Sequence, residues 1–156
     1  MIKKLTYLAF TAALFLGLTN AASAQTSTLN EPGAVIAPWT NKELIEPTVL
    51  AAQLTGNQDH MMILNIGKVE DIKGASHIGP VSKAENLEKL KSEVASLPKN
   101  TELIIYCGCC PFAKCPNIRP AFTTLKKMGF TNIKVLDIPV NLETNWTGKG
   151  YPLAGK

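Results

Sequence analysis

Three short stretches dominated by apolar residues punctuate the chain: Met61 to Ile66, Glu102 to Tyr106 and Asn132 to Asp137. Each is bounded by turn or polar residues, and the first is almost unbroken in its apolarity. That pattern suits strands covered on both faces. Between them the apolar spacing changes to the helical period. Leu87, Leu90, Val94 and Leu97 form one such stripe, ended by Pro98. Phe122 and Leu125 mark a second helix from about Asn117 to Met128. Asn117 is expected to cap it, Pro120 is tolerated in its first turn, and Gly129 suits its C-terminal position. Ser82 and Glu85 have the capping-box spacing for the first of these helices.

The remaining segments are shorter. Glu43 to Ile45 predicts a strand, and Glu46-Pro47-Thr48 opens a helix through Leu54 that Gly56-Asn57 ends. Residues 67–80, with Gly74, Gly79 and Pro80, predict a loop, and residues 141–150 a last short helix. Strands therefore alternate with helices. The fold class expected is α/β, a doubly wound parallel sheet with helices on both faces.

The beginning of the chain has a different character. Lys3 and Lys4 precede an apolar stretch from Leu5 to Leu18, and Ala22-Ser23-Ala24 follows. This order predicts a secretory signal peptide over residues 1–24, not a membrane anchor, because the apolar stretch is short and a cleavage site follows. Residues 25–40, with Pro32, Gly33 and Pro38, predict a linker or arm, and residues 41–156 the folded domain. The product is expected to be periplasmic or secreted, with no stable membrane anchor. Loss of the first 24 residues takes two lysines and lowers the formal net charge from +4 to +2. The remaining lysines are scattered, so no nucleic-acid surface is expected.

All four cysteines fall between Cys107 and Cys115, directly after the strand ending at Tyr106 and directly before the helix starting near Asn117. In an exported chain, thiols ordinarily suggest disulfides. A stapling bond gains most by closing a long loop, however, and every pair here is local. A strand end that runs into a helix N-terminus instead concentrates N–H donors, which lower a thiol pKa and hold anions. Cys107, first after the strand, is the thiol expected to be ionised and nucleophilic. Arg119, the only arginine, lies in the helix's first turn and is expected to partner an anion. For Cys109, Cys110 and Cys115 three roles stay open: resolving Cys107 or relaying a persulfide, binding a soft ion such as Cu(I) or zinc, or forming a local disulfide. Lys114 reads as solvated, His77 as a loop anchor and His60 as exposed. Trp146 and Tyr151 read as core closure, and Trp39 as packing the arm onto the domain.

From about Leu44 to Leu153 the chain resembles a rhodanese domain of the single-domain sulfurtransferase type. The resemblance is carried by Met62-Ile-Leu-Asn-Ile66, by Ser76-His-Ile-Gly-Pro80 and by Leu103-Ile-Ile-Tyr-Cys107. It continues through Arg119 and the helix ending Leu125-Lys-Lys-Met-Gly-Phe130, then Asn132 to Leu136 and Trp146 to Leu153. The chain departs from that pattern in a longer loop between Cys107 and Arg119. It also has Asn65 and Gly67 where the family has an acidic residue and arginine, and Ile138-Pro139 in place of a glycine pair.

The resemblance implies that Cys107 takes a sulfane sulfur from a small sulfur-containing anion such as thiosulfate. The resulting persulfide would pass it to cyanide or another thiol, a protein thiol included. It implies Gly108, Cys109 and Cys110 as N–H donors around that sulfur, and neither a cofactor nor a metal. The alternative is a metal-binding or redox-partner module on the same scaffold, without turnover.

Overall fold

The computed structural model describes residues 36–56 and 60–155. The signal peptide expected over residues 1–24, and most of the arm that follows it, lie outside these. Five strands form one sheet: β1 (Leu44–Ile45), β2 (Met61–Asn65), β3 (Ala75–His77), β4 (Glu102–Tyr106) and β5 (Ile133–Leu136). Their spatial order is β1-β5-β4-β2-β3, and every neighbouring pair is parallel. Four helices connect or follow them: α1 (Pro47–Gln53), α2 (Ala84–Val94), α3 (Ile118–Lys127) and α4 (Leu142–Asn145).

The apolar runs divide strictly by side. Leu64, Leu103, Ile105, Ile133 and Val135 face one core with Leu90 and Val94 of α2 and with Ile118, Ala121, Phe122 and Leu125 of α3. Ile63, Ile104, Tyr106 and Leu136 face the other core with Leu50, Ala51 and Leu54 of α1, together with Leu142 and Trp146. Both sides of the sheet are thus covered, as the unbroken apolar runs require. Burial of each large aliphatic or aromatic side chain contributes about 1.5–3 kcal/mol relative to leaving it exposed.

Two details differ from the expectation. Residues 67–80 contain β3, which pairs Ala75, Ser76 and His77 with Ile63, Leu64 and Asn65. Three residues at a sheet edge, without an apolar stripe, carry no periodic signal. The capping box at Ser82 does not form either. Lys83 occupies the N-cap of α2 with no side-chain cap bond, and the Ser82 N–H instead donates to Asn117 Oδ1 at 2.9 Å. A partner supplied by the fold displaces the local one.

The N-terminal arm and the C-terminus close the domain. Trp39 packs against Phe112 and Phe122, with ring centres 6.1 and 5.8 Å away. Trp146 is fully buried and donates from Nε1 to the Pro152 carbonyl at 3.1 Å, beside the Tyr151 ring. Among the described residues no helix is long and apolar enough to cross a membrane.

Candidate active site

Cys107 follows β4 immediately, at the carboxyl end of a strand flanked by β2 and β5. In sheets of this kind that end is where ligands bind. The segment after β2 forms one wall of the site. Ile66 N–H donates to the Tyr106 carbonyl at 2.9 Å. Gly67 then lies directly against Cys107, where a Cβ would sit 2.9 Å from the sulfur and collide with the Cys107 carbonyl. Gly108 has φ +74° and is wedged between Val69 and Leu142. Its carbonyl accepts from the Leu142 N–H at 2.8 Å. The thiol loop is therefore fixed at its start by backbone contacts that no larger residue would permit.

A buried polar network holds the Gly67 wall. Asn65, fully buried at the end of β2, donates from Nδ2 to the Val69 carbonyl and to Asp71 Oδ1, both at 2.8 Å. Its Oδ1 accepts from the Gly67 N–H at 3.0 Å. Asp71 Oδ1 also meets His77 Nδ1 at 2.9 Å, so His77 is a hydrogen-bonded anchor on β3. The Tyr106 hydroxyl accepts from Ile72 N–H at 2.9 Å and donates to the Glu70 carbonyl at 3.2 Å. Asn65 interrupts the apolar run from Met61 to Ile66, and that was the signal in the sequence for this network.

The four sulfurs lie close together and all are free thiols. Cys107 and Cys109 Sγ are 3.2 Å apart, and Cys109 and Cys110 Sγ 3.6 Å. The Sγ atoms of Cys107, Cys109 and Cys115 all lie within 4.8 Å of one another. A single 3-10 turn, Phe112–Lys114, returns the chain so that Cys115 sits under the cluster. Cys107 and Cys115 are 2% and 5% exposed, whereas Cys109 is exposed and Cys110 half-buried. Of the four residues, Cys109 is the most open to solvent.

The distribution of protons differs from the expectation for Cys107. Its thiol is pushed up, first by its hydrogen bond to Cys115 and then by burial. Asn117 Nδ2, at 3.2 Å, and the Cys109 backbone N–H oppose this without overcoming it. Cys115 is the thiol held below the ordinary range. It receives the hydrogen bond from Cys107 and also the backbone N–H groups of Asn117 and Ile118, where α3 begins. Burial pushes the Cys109 and Cys110 thiols up. The helix N-terminus does favour a thiolate, but the sulfur seated on it belongs to Cys115.

Arg119 is turned toward the arm. Its guanidinium donates to the Ile36 carbonyl at 2.6 Å and lies 5.8 Å from the Trp39 ring centre. Asn117 stands at the N-cap of α3, but its side chain makes no cap bond and is spent on Ser82 and Cys107. A cleft of about 360 Å3 opens beside the thiol loop, lined by Lys68, Val69, Glu70, Gly108, Leu142 and Thr147 among others. A larger open depression, about 670 Å3 and bordered by His60, Met61 and Glu102, lies at the opposite ends of β2 and β4.

Compared by sequence, the chain matches no family model and no curated protein. Compared by structure, it matches the rhodanese-like domain of the Alr3790 protein from Anabaena sp., with a TM-score of 0.52 and 20% identity over 73% of this chain and 80% of that one. The fold is rhodanese-like. A crystal structure of the same Anabaena protein gives a TM-score of 0.53 and 21% identity over 71% and 91% of the two chains. The BH2092 protein of Bacillus halodurans gives 0.54 and 16% over 72% and 76%. At these identities the likeness is one of fold, and the rhodanese-like scaffold puts the cysteine cluster at the mouth of the sheet.

Proposed function

We propose that this rhodanese-like domain transfers sulfane sulfur through a persulfide on Cys107, with Cys109 as the thiol that meets the donor. The observation that carries the reading is the position of Cys107. Its sulfur is fixed at the carboxyl end of β4, under two N–H donors, and 3.2 Å from an exposed second thiol. A nucleophile that is 2% exposed cannot itself reach a bulky donor. Cys109 can.

The chemistry balances without an external oxidant. Cys109 thiolate attacks the sulfane sulfur of a donor such as thiosulfate. The donor's S–S bond breaks, sulfite leaves with the electron pair, and Cys109 carries the persulfide. Cys107 then attacks the outer sulfur, Cys109 departs as thiolate, and the Cys107 proton moves to the Cys115 sulfur to which it is already hydrogen-bonded. Cyanide, small enough to reach the sheltered sulfur, takes it from Cys107 and leaves as thiocyanate, while Cys107 departs as thiolate and takes its proton back from Cys115. No general base on carbon chemistry is needed, in keeping with His77 serving as an anchor. Export to the periplasm or beyond, expected from residues 1–24, belongs to the same reading.

Thiosulfate:cyanide turnover by the purified protein, with mass spectrometry of the intact chain, tests the proposal. The expected result is turnover and an adduct of about 32 Da, one sulfur atom. The adduct should form on Cys109 and stay there in Cys107→Ser. Turnover unaffected in Cys107→Ser would remove the assignment.

A further inference from the structure

The three mutually adjacent sulfurs carry a second inference, independent of turnover. We propose that Cys107, Cys109 and Cys115 form a three-coordinate site for a soft monovalent ion, Cu(I). A metal–sulfur bond of about 2.3 Å places the sulfurs of a trigonal site roughly 4.0 Å apart. The three Sγ atoms here lie within 4.8 Å of one another, with Cys107 and Cys109 at 3.2 Å. Closing on an ion therefore needs shifts of under about 1 Å. Cys109, on the exposed part of the loop, can supply them.

The donor set decides the kind of ion. It is all sulfur, with no imidazole or carboxylate in the group, and thiolates select Cu(I), zinc and iron–sulfur clusters over harder cations. Cys110 is 3.6 Å from Cys109 but stands outside the mutually adjacent set. Three sulfurs suit Cu(I), whereas a structural zinc site takes four ligands.

The surroundings also resemble the outer shell of a metal site. Asn117 Nδ2 donates to Cys107 Sγ, and its orientation is fixed because Asn117 Oδ1 accepts from Ser82 N–H. Backbone N–H groups of Asn117 and Ile118 meet the Cys115 sulfur. Such N–H···S contacts orient ligands and offset the negative charge that three thiolates gather. The long loop gains a purpose as well. Its 3-10 turn brings a third, buried thiol back to the cluster, with exposed Cys109 as the way in. Binding would displace thiol protons and leave the ion's oxidation state unchanged.

The test is an anaerobic titration of the reduced, exported protein with Cu(I) against a chromophoric Cu(I) chelator, joined to X-ray absorption at the copper edge. One ion per chain with three sulfur neighbours is expected. Cys109→Ser and Cys115→Ser should each weaken binding by more than about 100-fold, beyond the 10–100-fold cost of losing an outer-shell partner. Cys110→Ser should keep the stoichiometry. Cys109 is exposed, so its loss leaves the fold intact, and circular dichroism checks the buried Cys115→Ser.

Failure to retain Cu(I) against the chelator overturns the site. So does wild-type affinity in Cys115→Ser, or bound zinc that Cu(I) does not displace. Because binding is read on metal-loaded protein and turnover on metal-free protein, either proposal can fail alone.

Discussion

Asn117 and Cys107, ten residues apart, are joined by a hydrogen bond from the Asn117 amide to the thiol sulfur at 3.2 Å. The other end of that amide accepts from Ser82 N–H, so the start of α3, the approach to α2 and the strand-end thiol are tied at one point. Asn117 is 5% exposed, and its bond to the Cys107 sulfur is made in the interior.

Replacing it should therefore be felt in stability and in the thiol together. Asn117→Ala leaves the Ser82 N–H without its partner, which costs about 1–3 kcal/mol. It also removes a donor that opposes the upward shift of Cys107, so that thiol should move further up. Urea denaturation reads the first effect, and thiolate absorbance followed against pH reads the second. A Cys107 titration unchanged in this variant would mean that the bond to sulfur is idle.

Gly67→Ala addresses the wall opposite. The new methyl group would meet the Cys107 carbonyl and sit 2.9 Å from its sulfur, and the carbonyl cannot move without disturbing β4. Overpacking of this kind costs about 1–3 kcal/mol. Sulfur transfer should fall with it, because the displaced group is Cys107 itself. A variant with wild-type stability and turnover would show that the two backbones are not in contact.

The exposures order the thiols for alkylation. Under reducing conditions a neutral alkylating reagent should label Cys109 first and Cys110 more slowly, with Cys107 and Cys115 protected until the protein unfolds. Because burial pushes the Cys109 thiol up, its labelling rate should keep rising with pH above the ordinary thiol range. Peptide mapping after brief labelling gives the order. Early modification of Cys107 would contradict a sheltered nucleophile served by a second thiol.

Much of this arrangement was legible in the chain. Strands β2, β4 and β5 announced themselves as apolar runs, and the cysteine cluster fell at the end of β4 as expected. Less could be read where distant residues decide. Ser82 and Asn117 both carry cap signatures, yet each is claimed by a partner 35 residues away. The sequence placed a helix N-terminus near several sulfurs without revealing which would sit on it. That choice is made by the Phe112–Lys114 turn, which delivers Cys115 and leaves Cys107 as the donor. Arg119 was expected at the anion and is occupied at Ile36 and Trp39, because the arm folds back over α3.

Asn65 offers the sharpest separation between the wall and the thiols. Asn65→Asp preserves the size of the side chain and the acceptor for Gly67 N–H. It replaces an amide donor with a carboxylate oxygen facing the Val69 carbonyl and Asp71 Oδ1, both now at 2.8 Å. Two carboxylates so placed cannot both ionise cheaply, so one should bind a proton well above the usual carboxylate range. A group whose folded pKa is raised contributes stability below its unfolded value and loses it as pH rises. The variant should therefore be destabilised at neutral pH by more than about 1.4 kcal/mol, one unit of such a shift. It should recover much of that deficit in mildly acidic solution, where the shared proton restores a donor. Urea midpoints at the two pH values measure this. A deficit independent of pH would mean that the Asn65–Asp71 contact does not hold the wall against Cys107.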